Sequence, residues 1–295
     1  MAHKLFEPEY HETMGLQNAW HLAVSCPHPK LLDHLANHAI YADQVDFKHI
    51  TPFNLASTKV NPVFDHSTTT HMDLFIRLIS LDVRIDFPDA KGRTPFLNYF
   101  SNNLEAYYKK LLELGANVNQ MDVTGLFALK YALIRRDEKQ IDMLVKEWKA
   151  NVNQVDNKGR NLLHHAVNMS SASADATFES EQQLIDLGIE LNLRDRHNRT
   201  PIHYAFVKIK GWNNKSNIDP IETVSSLCGC KGLEMDVPDK WMKTPLHYAA
   251  QRGSSICFIY LNKRGVNREA IDIYGNTPLG VALLSSHHNA AIMMI

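Results

Sequence analysis

The sequence predicts an all-α solenoid of about eight stacked helix-turn-helix units, and three observations lead there. Seven aspartates, Asp46, Asp89, Asp122, Asp156, Asp195, Asp239 and Asp272, each stand five residues before a Thr-Pro-Leu-His-like segment. The clearest copy, Thr244-Pro245-Leu246-His247-Tyr248-Ala249-Ala250, returns after 33 residues as Thr277-Pro278-Leu279. Gly115, Gly188 and Gly265 close second apolar segments, at the place where a helix stops and the backbone favours a left-handed residue. Self-similarity at such a period is the signature of a repeat array, in which each unit buries its apolar face only against its neighbours.

By this register units start near residues 13, 46, 89, 122, 156, 195, 239 and 272, after a lead-in over 1–14. Residues 15–295 form one domain whose last unit is incomplete. The first copy is degenerate, Asn18-Ala19-Trp20-His21-Leu22-Ala23, and the second reads Thr51-Pro52-Phe53-Asn54-Leu55-Ala56. Thr94-Pro95-Phe96 opens the third, while the fourth is worn to Phe127-Ala128-Leu129. The fifth reads Asn161-Leu162-Leu163-His164-His165-Ala166, and the sixth restores Thr200-Pro201-Ile202-His203-Tyr204-Ala205. In the good copies Thr caps the first helix, and Pro sits in its first turn, where a missing N–H costs nothing. Ala after the His keeps that helix thin enough to stack. Second helices read as Leu111-Leu112-Glu113-Leu114-Gly115 and as Leu144 to Asn153. Extra residues enter units two, five and six over 58–70, 168–180 and 207–219, rich in Ser, Thr, Asn and Lys as loops are. Insertions of this kind gather on one face of a repeat array, often a functional one.

The 31 basic and 32 acidic residues leave a formal charge of −1, which excludes a global attraction to nucleic acid or acidic membranes. No apolar run approaches the roughly 18 residues of a membrane span. The N-terminus, Met1 to Pro8, lacks the apolar core of a secretory signal. Cys26, Cys228, Cys230 and Cys257 are too few and scattered for a disulfide framework, so a reducing setting, cytoplasmic or nuclear, is expected.

The chemistry-bearing residues point away from catalysis. Among 16 histidines, His164, His203 and His247 recur with the repeat and not with a coordination sphere. Cys228 and Cys230 are one residue apart, whereas zinc knuckles space their cysteines by two to four. No phosphate-binding glycine loop and no nucleophile elbow occurs. The expectation is a segment with no catalytic residues, no metal and no cofactor.

The motif Thr244-Pro245-Leu246-His247-Tyr248-Ala249-Ala250 with Arg252-Gly253, repeated from Asp272, resembles the ankyrin-repeat family. The resemblance implies two antiparallel helices per unit, a short β-hairpin finger over each Asp-x-x-Gly segment, and a structural imidazole bonded to the adjacent finger. It further implies a scaffold or adaptor that holds a partner protein along its concave face and finger tips. The tip residues it points to are Lys240, Trp241, Ile273 and Tyr274 in neighbouring units, with the cations Lys91, Lys158 and Arg196, and with Trp212 in an insertion. Met242 replaces the finger glycine, which calls for a changed turn there and leaves Trp241 either at the tip or folded inward. Tyr131, Tyr204 and Tyr248 share one framework slot, and Tyr99 stands one residue later in its unit.

Lys243 to Gly253 and Asp272 to Ala282 are also similar to the ankyrin part of certain poly(ADP-ribose) polymerases, which would make this the targeting or regulatory region of a larger enzyme with catalysis elsewhere. The apolar ending Ala290 to Ile295 is not a polar terminal face, and it implies a neighbouring C-terminal domain or self-association.

Overall fold

The carboxylate that opens each unit dictates its first turn. In the computed structural model Asp239 accepts the backbone N–H groups of Trp241 and Lys243 on Oδ1, both at 2.9 Å. Its own N–H donates to the Lys243 carbonyl at 3.0 Å, and its carbonyl accepts the Met242 N–H at 2.9 Å. The same Oδ1 pattern recurs at Asp46, Asp89, Asp122, Asp156, Asp195 and Asp272. The third residue after each aspartate must then turn left-handed, which suits Gly159 at φ +75° and Gly275 at +76°. Met242 holds the same conformation at +59°, so the turn expected to change at this finger does not. The Asp239 carboxylate bonds outweigh the cost of a left-handed side-chain-bearing residue.

The structure describes residues 19–25, 34–35, 42–59, 68–170, 180–207 and 220–292, of which 68–70 and 289–290 by their backbone alone. The lead-in, Cys26, most of the three insertions and 293–295 lie outside these residues. Two compact units divide the chain, Met1–Tyr131 with Lys146–Ala150, and Ala132–Val145 with Asn151–Ile295.

In the first unit α1 (Ala19–Ser25), α2 (Pro52–Lys59) and α4 (Pro95–Ser101) stack in turn, with α3 (Thr68–Ser80) and α5 (Glu105–Glu113) as second helices. Thr94 caps α4 by accepting the Leu97 N–H at 3.3 Å, and Pro95 follows at a position without an intrahelical donor. The core is aromatic: the Phe75 ring meets Phe53, Tyr99 and Tyr107 at 5.7, 5.6 and 5.0 Å between centroids. Complete burial of a side chain like Phe75 stabilises by about 2–3 kcal/mol relative to exposure.

Helix α6 (Ala128–Arg135) precedes α7 (Glu138–Asp142), which widens into a π turn over Met143–Glu147. In the second unit α8 (Leu162–Ser170), α10 (Pro201–Tyr204), α12 (Pro245–Arg252) and α14 (Pro278–Leu284) stack in succession. Ala166, Ala205, Ala249 and Ala282 are fully buried, which lets these helices approach closely. The second helices are α9 (Ser180–Asp186), α11 (Ile221–Gly229), α13 (Ser255–Lys263) and α15 (His288–Ile292). Gly188 and Gly265 follow α9 and α13 at φ +82° and +80°, the left-handed ends that the spacing predicts.

The all-α arrangement agrees with stacked repeats, but no β-hairpin finger forms among the described residues. Among the described residues the β pairing amounts to an isolated bridge between Met121 and Phe127. The reason lies in the hydrogen-bond accounting of the finger. The aspartate carboxylate and the four-residue turn take up most of its backbone groups, so a single link remains for each neighbour. In the second unit the Arg196 N–H donates to the Lys158 carbonyl at 2.9 Å, Lys240 to His197 at 2.9 Å, and Ile273 to Trp241 at 3.1 Å. One bond per step is too few for a ladder.

A second set of bonds, of side chain to backbone, starts three residues upstream of five finger aspartates. Asn153 accepts the Glu190 N–H at 2.7 Å, Asn192 accepts Glu234 at 2.9 Å, and Asp236 accepts Asn267 at 2.9 Å. Asp43 and Asp86 do the same for Arg84 and Asn117 in the first unit.

Candidate interaction surface

The residues that hold the finger tips are fully engaged, and this decides what the tips have left to offer. His203 stands at the third position of α10. Its Nδ1 lies 3.1 Å from the Thr200 N–H, which can only donate, so the neutral ring carries its proton on Nε2. That Nε2–H donates to the Lys243 carbonyl in the next finger at 3.3 Å. His247 repeats the arrangement toward Asn276 at 3.1 Å. His164 makes the same Nε2 link to the Arg199 carbonyl at 3.1 Å, but its Nδ1 lies 2.7 Å from the Asn161 side-chain oxygen. Burial pushes His164 and His203 down to about 4 and lowers His247. These rings are spent on the frame.

Two framework tyrosines do the same for their aspartates. Tyr204 donates its hydroxyl to Asp195 and Tyr248 to Asp239, both at 2.6 Å, and His165 fills the equivalent slot at Asp156 at 3.0 Å. Arg160 and Arg199 close on Asp156 and Asp195 at 2.7 and 3.0 Å. Burial alone would raise Asp195, but the Tyr204 hydroxyl, two backbone N–H groups and Arg199 together hold it below the usual carboxylate range.

What remains at the tips is a row of side chains one and two residues after each aspartate. Lys158, Arg196 and Lys240 are exposed. Ile273 is 52% exposed and Tyr274 73%. Trp241 takes neither extreme that the sequence leaves open. It is half-buried, stacked on His197 at 5.6 Å between centroids and 8° between planes, with the Lys240 ammonium 4.2 Å from its ring centre. Thus Lys158, Arg196, Lys240, Trp241, Ile273 and Tyr274 come together on consecutive linked fingers of the second unit. Lys91 is exposed on a finger of the first unit, and Trp212 lies outside the described residues.

Three further residues contribute to this surface without having been singled out for it from the sequence. His197 occupies the same offset as Trp241 and Tyr274, so the finger register alone reveals a run of three flat rings. Met242 and Ile271, 51% and 58% exposed, flank the last two tips and enlarge their apolar area. A shallow depression of about 410 Å³ lies between Arg194, Asp236, Arg264 and Val266. Two of its polar groups are committed, since Asp236 accepts the Asn267 N–H and Arg264 donates to the Cys228 carbonyl at 2.6 Å. Burial raises the Cys228 thiol to about 11, which keeps it protonated. Among the described residues no three His, Cys, Asp or Glu side chains gather as a metal site, and no helix is long and apolar enough to cross a membrane.

Comparison with known proteins bears on the same segment. Residues 213–295 match the family model for ankyrin repeats (3 copies). Rabankyrin-5 of Mus musculus and Rabankyrin-5 of Homo sapiens are each 30% identical to this chain over 131 residues, 43% of its length. The match spans 11% of the length of those two proteins. With three copies matched in the segment that holds the last two fingers, and the same aspartate turn, cap and stack recurring upstream, the chain carries an ankyrin-repeat domain.

Proposed function

We propose that this domain is a protein-interaction scaffold or adaptor that holds a partner protein along the finger tips of its second unit and the adjoining face of the first helices. The observation that carries the reading is the contrast between engaged and unengaged residues. Every finger aspartate of the second unit serves its own turn, yet Ile273 and Tyr274 stand more than half exposed beside three solvent-facing cations. Tyrosine is among the residue types that dominate binding energy when a partner covers it. The repeat identity supports a general protein-binding role of a non-catalytic kind. The alternative, a regulatory region of a larger ADP-ribosyltransferase, has no observation in its favour from the two relatives.

The test uses a photo-reactive residue placed at position 274 in cells, with position 222 on α11 as the control. The reading expects discrete protein adducts from position 274 that disappear when Trp241→Ala is added and helical circular dichroism is unchanged. Identical adduct patterns from both positions would refute it. A cytoplasmic or nuclear setting belongs to the same proposal and is read by imaging a fluorescent fusion.

A further inference from the structure

The cations of the fingers fall into two groups with opposite fates. Arg93, Arg160 and Arg199, four residues after their aspartates, pair with those aspartates at 3.6, 2.7 and 3.0 Å. Lys158, Arg196 and Lys240, one or two residues after theirs, ion-pair with no carboxylate among the described residues. In the second unit the two tip positions of successive fingers carry Asn157-Lys158, Arg196-His197, Lys240-Trp241 and Ile273-Tyr274. No carboxylate occurs in that row, although the whole chain has a net charge of −1. The row is therefore locally cationic at one end and apolar at the other.

Its order is fixed by the backbone. The Lys158 carbonyl accepts from Arg196, the His197 carbonyl from Lys240, and the Trp241 carbonyl from Ile273. Beneath, His165, Tyr204 and Tyr248 tie Asp156, Asp195 and Asp239 to the first helices of their repeats, and the His197–Trp241 stack joins two tips directly. A surface held in this way loses little conformational entropy when it is covered.

We propose that this row takes an acidic segment of another protein that carries an adjacent apolar side chain. Its carboxylates lie on Lys158, Arg196 and Lys240, and its apolar residue lies on Met242, Ile273 and Tyr274. The inference rests on the protein-binding reading above and names the chemistry of the partner. A nucleic acid fits the row less well. The cationic stretch gives way to Met242, Ile271 and Ile273, aliphatic groups that neither neutralise phosphate nor stack as aromatics do. For a protein segment the same groups supply the apolar contact that three exposed ion pairs alone cannot.

The experiment selects displayed random short peptides on the full 295-residue chain and measures the best peptide by fluorescence polarisation. The expected peptides are rich in Asp and Glu beside a Leu, Ile or aromatic residue. Combining Lys158→Gln, Arg196→Gln and Lys240→Gln should weaken the best peptide about tenfold, the combined effect of three exposed ion pairs. Reversing the three to Glu should restore binding only to a peptide whose acids are changed to lysine. Circular dichroism confirms that each variant keeps its helices. Peptides that need Tyr274 but are neutral or basic overturn the acidic partner while leaving the protein-binding reading intact. Failure to enrich any peptide sensitive to Tyr274→Ala overturns both. Tighter binding of random-sequence single-stranded RNA at the same tips overturns the choice of a protein partner.

Discussion

Acidification should unfold the second unit through its buried imidazoles well before its carboxylates protonate. His164 and His203 are held neutral down to about 4, against an ordinary 6.5, because each is fully buried. At His203 a proton added to Nδ1 would also face the Thr200 N–H, which already points at that nitrogen. The unfolded chain therefore binds more protons than the folded one between about pH 6.5 and 4. The stability these residues contribute is fully present above 6.5 and is lost as pH falls through that window. Each loses about 3 kcal/mol in all, at up to about 1.4 kcal/mol per pH unit. Two such losses are comparable with the whole stability of an ordinary domain, about 5–15 kcal/mol. Glu181 acts in the opposite sense. Burial raises it to about 7, so its contribution is present at low pH and is lost as pH rises from 4.5 to 7. The measurement is therefore urea unfolding by far-ultraviolet circular dichroism from about pH 7 to 5 in a Glu181→Gln background. The reasoning is refuted if the midpoint stays constant, or if His164→Gln with His203→Gln leaves the pH slope unchanged.

Two further outcomes follow from backbone geometry. Met242→Gly should raise stability by about 1 kcal/mol, because φ is +59° in a conformation that penalises a side chain; an unchanged or lower urea midpoint counts against this. Gly253→Ala should cost about 1–3 kcal/mol, since φ is +75° and a Cβ there would lie 2.6 Å from the His287 ring. Combining it with His287→Ala should recover the crowding share in the same assay but not the share due to φ.

Much of the repeat was legible because its aspartates and Thr-Pro pairs act locally. A carboxylate that accepts two N–H groups within four residues makes the same turn wherever it stands. Asp239 does so even with Met242 in the left-handed place. The strand content of the fingers was not legible, because it depends on how many backbone groups remain after the aspartate has taken its share. The different environments of Trp241 and Tyr274 were equally hidden. Both stand two residues after an aspartate, but Trp241 finds the flat His197 one finger upstream, whereas Tyr274 stays 73% exposed. The ladder from Asn153, Asn192 and Asp236 was present in the repeat register all along. It went unread because Asp and Asn there look like ordinary loop residues. The π turn over Met143–Glu147 has no local sequence signal that we can identify.

The single hydrogen bond between adjacent fingers bears on how such a molecule behaves in a crowded solution. A continuous sheet along the fingers would end in an edge of unsatisfied donors and acceptors, a template on which foreign strands pair and fibres begin. Here the turn consumes its own polar groups, and a finger without a neighbour leaves one N–H or one carbonyl unmet, which water satisfies. Copies of the repeat can thus be joined in series without creating a surface that recruits strands indiscriminately.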